Sequence, residues 1–100
     1  MVSVGELSVD TSSRMVTLQG QPVAVSAMEY RLLEYLVLRA GQIVTKAEIV
    51  EHLYDFNAEN FSNVVEVYVS ALRKKLDPGP QYRLVHTVRG RGYLVGEMPR

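Results

Sequence analysis

One hundred residues allow a single domain, and a 47% hydrophobic content is enough to give it a core. The absence of cysteine excludes disulfide scaffolds, thiolate zinc sites and cysteine nucleophiles and fits a reducing cytosol. No apolar run reaches the roughly 18 residues of a membrane span, and the first six residues lack the basic start and apolar stretch of a signal peptide.

The formal net charge is zero, but the charges are not evenly spread. Residues 1–62 carry four basic residues against eight acidic ones, whereas residues 63–91 carry six (Arg73, Lys74, Lys75, Arg83, Arg89, Arg91) against Glu66 and Asp77. Such asymmetry suggests a polyanion as partner for one surface.

The first 25 residues read as an antiparallel meander. Leu7 and Val9, Val16 and Leu18, and Val23 and Val25 alternate as strands with one apolar face, separated by turns at 10–13 and 19–21. Val2 and Val4 supply a further candidate strand. Ser26-Ala27-Met28-Glu29 is a capping box, predicting a helix that buries Tyr30, Leu32, Leu33, Leu36, Val37 and Ala40 and stops at Gly41. After an extended link at 42–44, Thr45-Lys46-Ala47-Glu48 is a second capping box, opening a two-turn helix with Ile49, Val50 and Leu53 inward. Residues 54–61 show no period and read as a loop.

A third helix is predicted from about Ser62 to Leu76, ended by Asp77-Pro78-Gly79-Pro80. At helical spacing Val65, Val69, Leu72 and Leu76 form a core stripe, flanked by Tyr68. Asn63, Val67, Ser70 and Lys74 fall on the opposite side. A merely solvated face rarely carries a valine. A valine can touch a thymine methyl, an asparagine can pair with adenine, and a lysine reaches guanine or phosphate. Arg73 and Lys75 lie on the shoulders of this stripe, where phosphates would pass.

Leu84–Val88 and Tyr93–Val95 are predicted strands joined by Arg89-Gly90-Arg91-Gly92, a tight hairpin with a basic tip. Arginine inserts well into a narrow minor groove. A helix in the major groove with a basic tip beside it makes a bipartite grip on duplex DNA. If the turn is centred between the two arginines they diverge, so that one enters the groove and the other meets a phosphate.

Other chemistries find less support. Glu48 and His52, four apart on one helix, make an incomplete metal site, and His86 lies in a strand. No phosphate-cradling glycine loop opens a helix, so neither an enzyme nor a cofactor is expected. Tyr30, Tyr35 and Tyr68 read as core or core-edge aromatics. A module that uses this helix and hairpin only for protein contacts is the alternative, and salt-dependent binding to duplex DNA separates it from the leading reading.

Several stretches together carry a resemblance: Leu7-Ser8-Val9-Asp10, residues 28–36, residues 45–49, Asn63-Val64-Val65-Glu66-Val67-Tyr68-Val69, Leu72-Arg73-Lys74-Lys75-Leu76, and Thr87-Val88-Arg89-Gly90-Arg91-Gly92-Tyr93. In this order and spacing the chain resembles the winged-helix DNA-binding output domain of OmpR/PhoB-type response regulators. The resemblance covers about residues 4–96. It implies an α+β fold: a winged helix-turn-helix with an N-terminal four-stranded antiparallel sheet, three helices and a C-terminal β-hairpin wing. By resemblance, Asn63, Val67, Ser70, Ala71 and Arg73 match base or phosphate contacts of the recognition helix, and Lys74 shares their face. Lys46 and Tyr54 match backbone contacts beside the second helix. Thr87 and Arg89 match wing contacts, with Arg89 in the minor groove and Thr87 and Arg91 at phosphates. The loop 54–61 matches one that touches RNA polymerase, and Asp55, Phe56 and Glu59 are its candidates; Phe61 is expected to pack inward instead.

The resemblance further implies a bacterial, cytoplasmic, nucleoid-associated regulator, monomeric alone and paired in tandem on direct-repeat half-sites. A phosphorylatable receiver domain and a sensor kinase act upstream. One hundred residues are already used by this fold, so residues 1–100 are expected to be the isolated output half without its receiver. The sequence departs from the family where Ala71 stands in place of a common arginine, Tyr54 in place of a tryptophan, and Arg91 in place of a small or aliphatic residue.

Overall fold

The computed structural model of the chain describes residues 1–54, 61–76 and 84–96. Alternation in the first segment produces strands β1 (Val2–Val4), β2 (Leu7–Asp10), β3 (Met15–Leu18) and β4 (Gln21–Pro22). They form an antiparallel sheet in the order β1-β2-β3-β4. Val9 pairs with Val2 and Val16, and Leu7 with Val4 and Leu18, so the inward face is a continuous layer in which Leu7, Val9, Val16 and Leu18 are buried. Between β2 and β3, the Asp10 carboxylate accepts the amides of Ser12 and Ser13 at 3.0 and 3.4 Å, which holds it below the usual aspartate range.

The last strand differs from the sequence expectation. The paired residues are Gln21 and Pro22, not Val23–Val25. Gln19 and Gly20 both have positive φ, which closes a two-residue hairpin and brings Gln21 opposite Leu18. Val23 donates to Val16 O at 2.8 Å, and beyond it Val23 and Val25 pack half-buried on the core without a ladder. Their alternation reflects one-sided burial rather than strand pairing.

Helix α1 (Ala27–Val37) starts on the expected capping box: Ser26 N donates to Glu29 Oε1 at 2.9 Å, and Glu29 N to Ser26 Oγ at 3.1 Å. Tyr30, Leu32, Leu33, Leu36 and Val37 are buried as expected, but Ala40 is exposed. The helix ends at Val37, and the chain continues in turns with Arg39 N bonded to Leu36 O and Ala40 N to Val37 O. This tightening rotates Ala40 off the apolar face before Gly41 reverses the backbone at φ 83°. Burial, and then a 2.8 Å hydrogen bond to Glu34, push the Tyr30 phenol up to about 12.

The Glu29 carboxylate is buried and pairs with Lys75 Nζ at 2.6 Å. Burial alone would raise its pKa, but Lys75 and the Ser26 amide outweigh that and hold the carboxyl below the usual range. A native pKa depressed in this way contributes stability that is complete above the ordinary glutamate value of 4.5 and is lost as pH falls through the lowered one. Lys75→Met is therefore expected to be less stable at neutral pH and to lose less stability on acidification than the native chain. Denaturation across a pH series measures this, and parallel curves would show that Lys75 does not set Glu29.

Helix α2 (Lys46–Tyr54) opens on the second capping box, with Thr45 N donating to Glu48 Oε1 at 3.2 Å and Glu48 N to Thr45 Oγ1 at 3.1 Å. Ile49 and Leu53 are buried, and Val50 packs against the core. Helix α3 (Phe61–Leu76) buries Val65, Val69, Leu72 and Leu76, the stripe read from its periodicity. Tyr35 and Tyr68 are half-buried at the core edge. The Tyr35 ring lies 4.3 Å from the His52 ring and 3.7 Å from the Arg39 guanidinium. Among the described residues no three His, Cys, Asp or Glu side chains gather as a metal site, and no helix is long and apolar enough to cross a membrane.

The last described elements are a hairpin of β5 (Val85–Val88) and β6 (Gly92–Val95), in register from Val85↔Val95 to Val88↔Gly92. Its inner edge is pinned by the link before α2: Val44 N donates to Tyr93 O, and Tyr93 N to Val44 O, both at 2.8 Å. Gly41 N donates to Val95 O at 2.9 Å. His86 bonds Gly96 O through Nε2 at 2.7 Å. The stop expected at 77–80 lies outside the described residues.

Candidate nucleic-acid interface

With one face of α3 buried, its opposite face is fixed outward. Val67 is 62% exposed, and Ser70 and Lys74 are exposed beside it. Ala71 is half-buried at the edge. The small side chains at 70 and 71 leave a shallow hollow of about 490 Å³ lined by Glu66, Val67, Ser70, Ala71 and Lys74. Four of the five expected base-facing residues are thus brought together. Asn63 is on the backbone of α3, but its side chain lies outside the described residues, as does that of Tyr54. Asp55, Phe56 and Glu59, and the side chain of Phe61, also lie outside them.

The hairpin supplies the second part of the surface. Arg89, Gly90 and Arg91 form its three-residue tip, closed by Arg91 N donating to Val88 O at 2.9 Å. The positive φ falls on Gly90, the third position of the turn, as in a type II turn. The tip is therefore centred between the two arginines, and both are exposed. Arg91 lines a depression of about 280 Å³ together with Lys46 and Thr87, at the start of α2. Arg89 is not part of that depression. Two cations and a hydroxyl around one hollow suit a single phosphate.

Three polar contacts across the helices carry no sequence signal, because their partners are between 12 and 46 residues apart and share no period. Arg73 reaches from α3 to the wing, with Nε donating to Val85 O at 3.1 Å and Nη2 to Thr87 Oγ1. Two of the residues expected at phosphates are thus bonded to each other. Lys75, expected on a phosphate-facing shoulder, instead bonds the buried Glu29 of α1. Lys46 pairs with Glu66 at 2.9 Å, joining the first turn of α2 to the outward face of α3.

Comparison with known proteins agrees with this geometry. A family model described as "Transcriptional regulatory protein, C terminal" matches residues 20–95. The two-component response regulator PhoP of Pseudomonas aeruginosa is 40% identical over 99% of this chain and 44% of its own length. The probable transcriptional regulatory protein TcrX of Mycobacterium tuberculosis is 36% identical over 92% of this chain and 39% of its own length. The chain thus spans less than half the length of these relatives. Among solved structures, the DNA-binding domain of Klebsiella pneumoniae RstA, in complex with RstA box, superposes with a TM-score of 0.81 at 33% identity, covering 95% of both chains. The response regulator DrrB of Thermotoga maritima, an OmpR/PhoB homologue, gives 0.83 at 25% identity over 95% of this chain and 43% of that one. With a family match over most of the chain, and the four-stranded sheet, three helices and hairpin in the expected order, the chain belongs to the C-terminal domains of transcriptional regulatory proteins and has the winged-helix fold of OmpR/PhoB-type response regulators.

Proposed function

We propose that the chain binds double-stranded DNA in a sequence-specific way, as the output domain of a bacterial two-component response regulator that controls transcription. The carrying observation is the outward face of α3, where an exposed valine stands beside a hydroxyl and an ammonium on a helix whose reverse side buries Val65, Val69, Leu72 and Leu76. In this reading α3 lies in the major groove, with Val67, Ser70, Ala71 and Lys74, together with Asn63, toward base edges. The wing meets the adjacent minor groove through Arg89, while Lys46 and Arg91 take a phosphate and Tyr54 adds a backbone contact. The family is regulatory rather than enzymatic. The wider reading has a receiver domain and sensor kinase upstream, action in the cytoplasm at the nucleoid, and a monomer that pairs in tandem on direct repeats about one helical turn apart. RNA polymerase contact falls to Asp55, Phe56 and Glu59, which lie outside the described residues.

The test is selection from a random duplex pool, followed by affinity on the selected site over a salt series. Affinity is expected to fall steeply with salt, and Arg91→Ala to flatten the slope of log K against log salt by about 0.9. Val67→Ala should cost about 1–3 kcal/mol on the selected site and relax base preference while leaving the melting temperature unchanged. No salt-dependent duplex binding would overturn the reading in favour of a protein-interaction module.

A further inference from the structure

The ion pair between Lys46 and Glu66 joins two parts of the surface that the proposed function treats separately. Lys46 stands at the phosphate-sized depression beside Arg91, and Glu66 lines the hollow over Val67, Ser70 and Ala71. Their heavy atoms are 2.9 Å apart, with the two side chains 41% and 62% exposed. The pair is therefore in solvent, is not needed for the core, and is weak enough to open on binding. A carboxylate on a face that approaches a polyanion is otherwise unfavourable. It repels phosphates, and it subtracts one of the few cations beside the wing.

Resting on the reading of α3 as a DNA-recognition helix, we propose that Glu66 is a specificity-determining residue that restrains Lys46, so that this lysine is withheld from random DNA and released to phosphate only when α3 is seated in a cognate groove. On random duplex the contacts are to phosphates, which offer the carboxylate no donor, so it stays on Lys46. When α3 is seated, Glu66 faces base edges, and the amino group of a cytosine is a donor that takes the carboxylate over. Lys46 then turns to the phosphate beside Arg91. The pair lowers affinity for all DNA but lowers it more for the wrong DNA, so discrimination rests on a penalty that only a correctly placed cytosine lifts.

The test is a two-residue cycle of Glu66→Gln and Lys46→Met, with affinities measured on the selected site and on a random duplex over a salt series. Glu66→Gln keeps the shape and removes the charge at an exposed position, so the fold is retained. It is expected to tighten random-duplex binding about fivefold and to steepen its salt slope by about 0.9, the release of one further cation. The selected site should gain less or weaken, so the ratio between the two affinities falls. In the Lys46→Met background Glu66→Gln should no longer steepen the slope. A Glu66→Gln variant with native random-duplex affinity and slope overturns the proposal, and so does one whose slope steepens equally without Lys46. A native chain that binds no duplex at all fails differently, since it overturns the DNA-binding reading first.

Discussion

Gly92→Ala is expected to lower the stability of the domain by about 3 kcal/mol or more, a larger effect than alanine at Gly20, Gly41, Gly90 or Gly96, where a Cβ meets no atom closer than 3.6 Å. Gly92 opens β6 at φ 148°, and a Cβ there would lie 2.1 Å from Val44 O, 2.8 Å from Val44 C and 2.9 Å from Thr45 Cα. All three are backbone atoms and cannot rotate away. Val44 O is also the acceptor for Tyr93 N, so relieving the clash breaks the bridge that docks the hairpin. Thr45 is the residue before Lys46, and the depression shared by Lys46 and Arg91 would open with it. Gly90→Ala is the control. Nothing lies within 4 Å of a Cβ at Gly90, leaving only the positive φ of 75°, worth about 1–2 kcal/mol. Urea denaturation of the two variants makes the comparison, and equal losses would refute the close-approach argument.

The second large effect is expected at Arg73. Arg73→Ala should cost about 2–3 kcal/mol, because a half-buried guanidinium donates both to Val85 O and to the Thr87 hydroxyl. Arg73→Lys should recover only part of this, since an ammonium cannot reproduce the fork. The exposed neighbour Lys74 should cost under about 0.5 kcal/mol when replaced by alanine. The DNA readout separates two roles for Arg73. If it sets the angle between wing and helix, Arg73→Ala weakens cognate binding without changing the salt slope. Direct neutralisation of a phosphate instead predicts a slope flatter by about 0.9. The bonds in the unbound protein favour the first outcome.

Local chemistry was legible in the sequence where the interacting residues are near each other in the chain. Both capping boxes, Ser26 with Glu29 and Thr45 with Glu48, form as their three-residue spacing predicts. The stripe of Val65, Val69, Leu72 and Leu76 is core, and Val67 is exposed opposite it. Two local readings failed because a burial pattern has more than one origin. Val23 keeps a single backbone bond to Val16 and Val25 lies beyond the paired strand, and Ala40 follows the helical period after the helix has ended. The polar contacts across elements were illegible in principle. Nothing in the spacing of Lys75 and Glu29, or of Arg73 and Thr87, shows that folding brings them together. The helical spacing that puts Arg73 and Lys75 on the shoulders of α3 says nothing of the acceptors each finds on a neighbouring element.

The N-terminal sheet has a further consequence at its margins. One outer strand has three residues, and the other has two, of which Pro22 offers no N–H. Open strand edges are templates onto which another chain can polymerise, and edges this short give an incoming strand little to add to. Copies of the domain that meet in solution are therefore poorly templated for strand addition at the sheet margins.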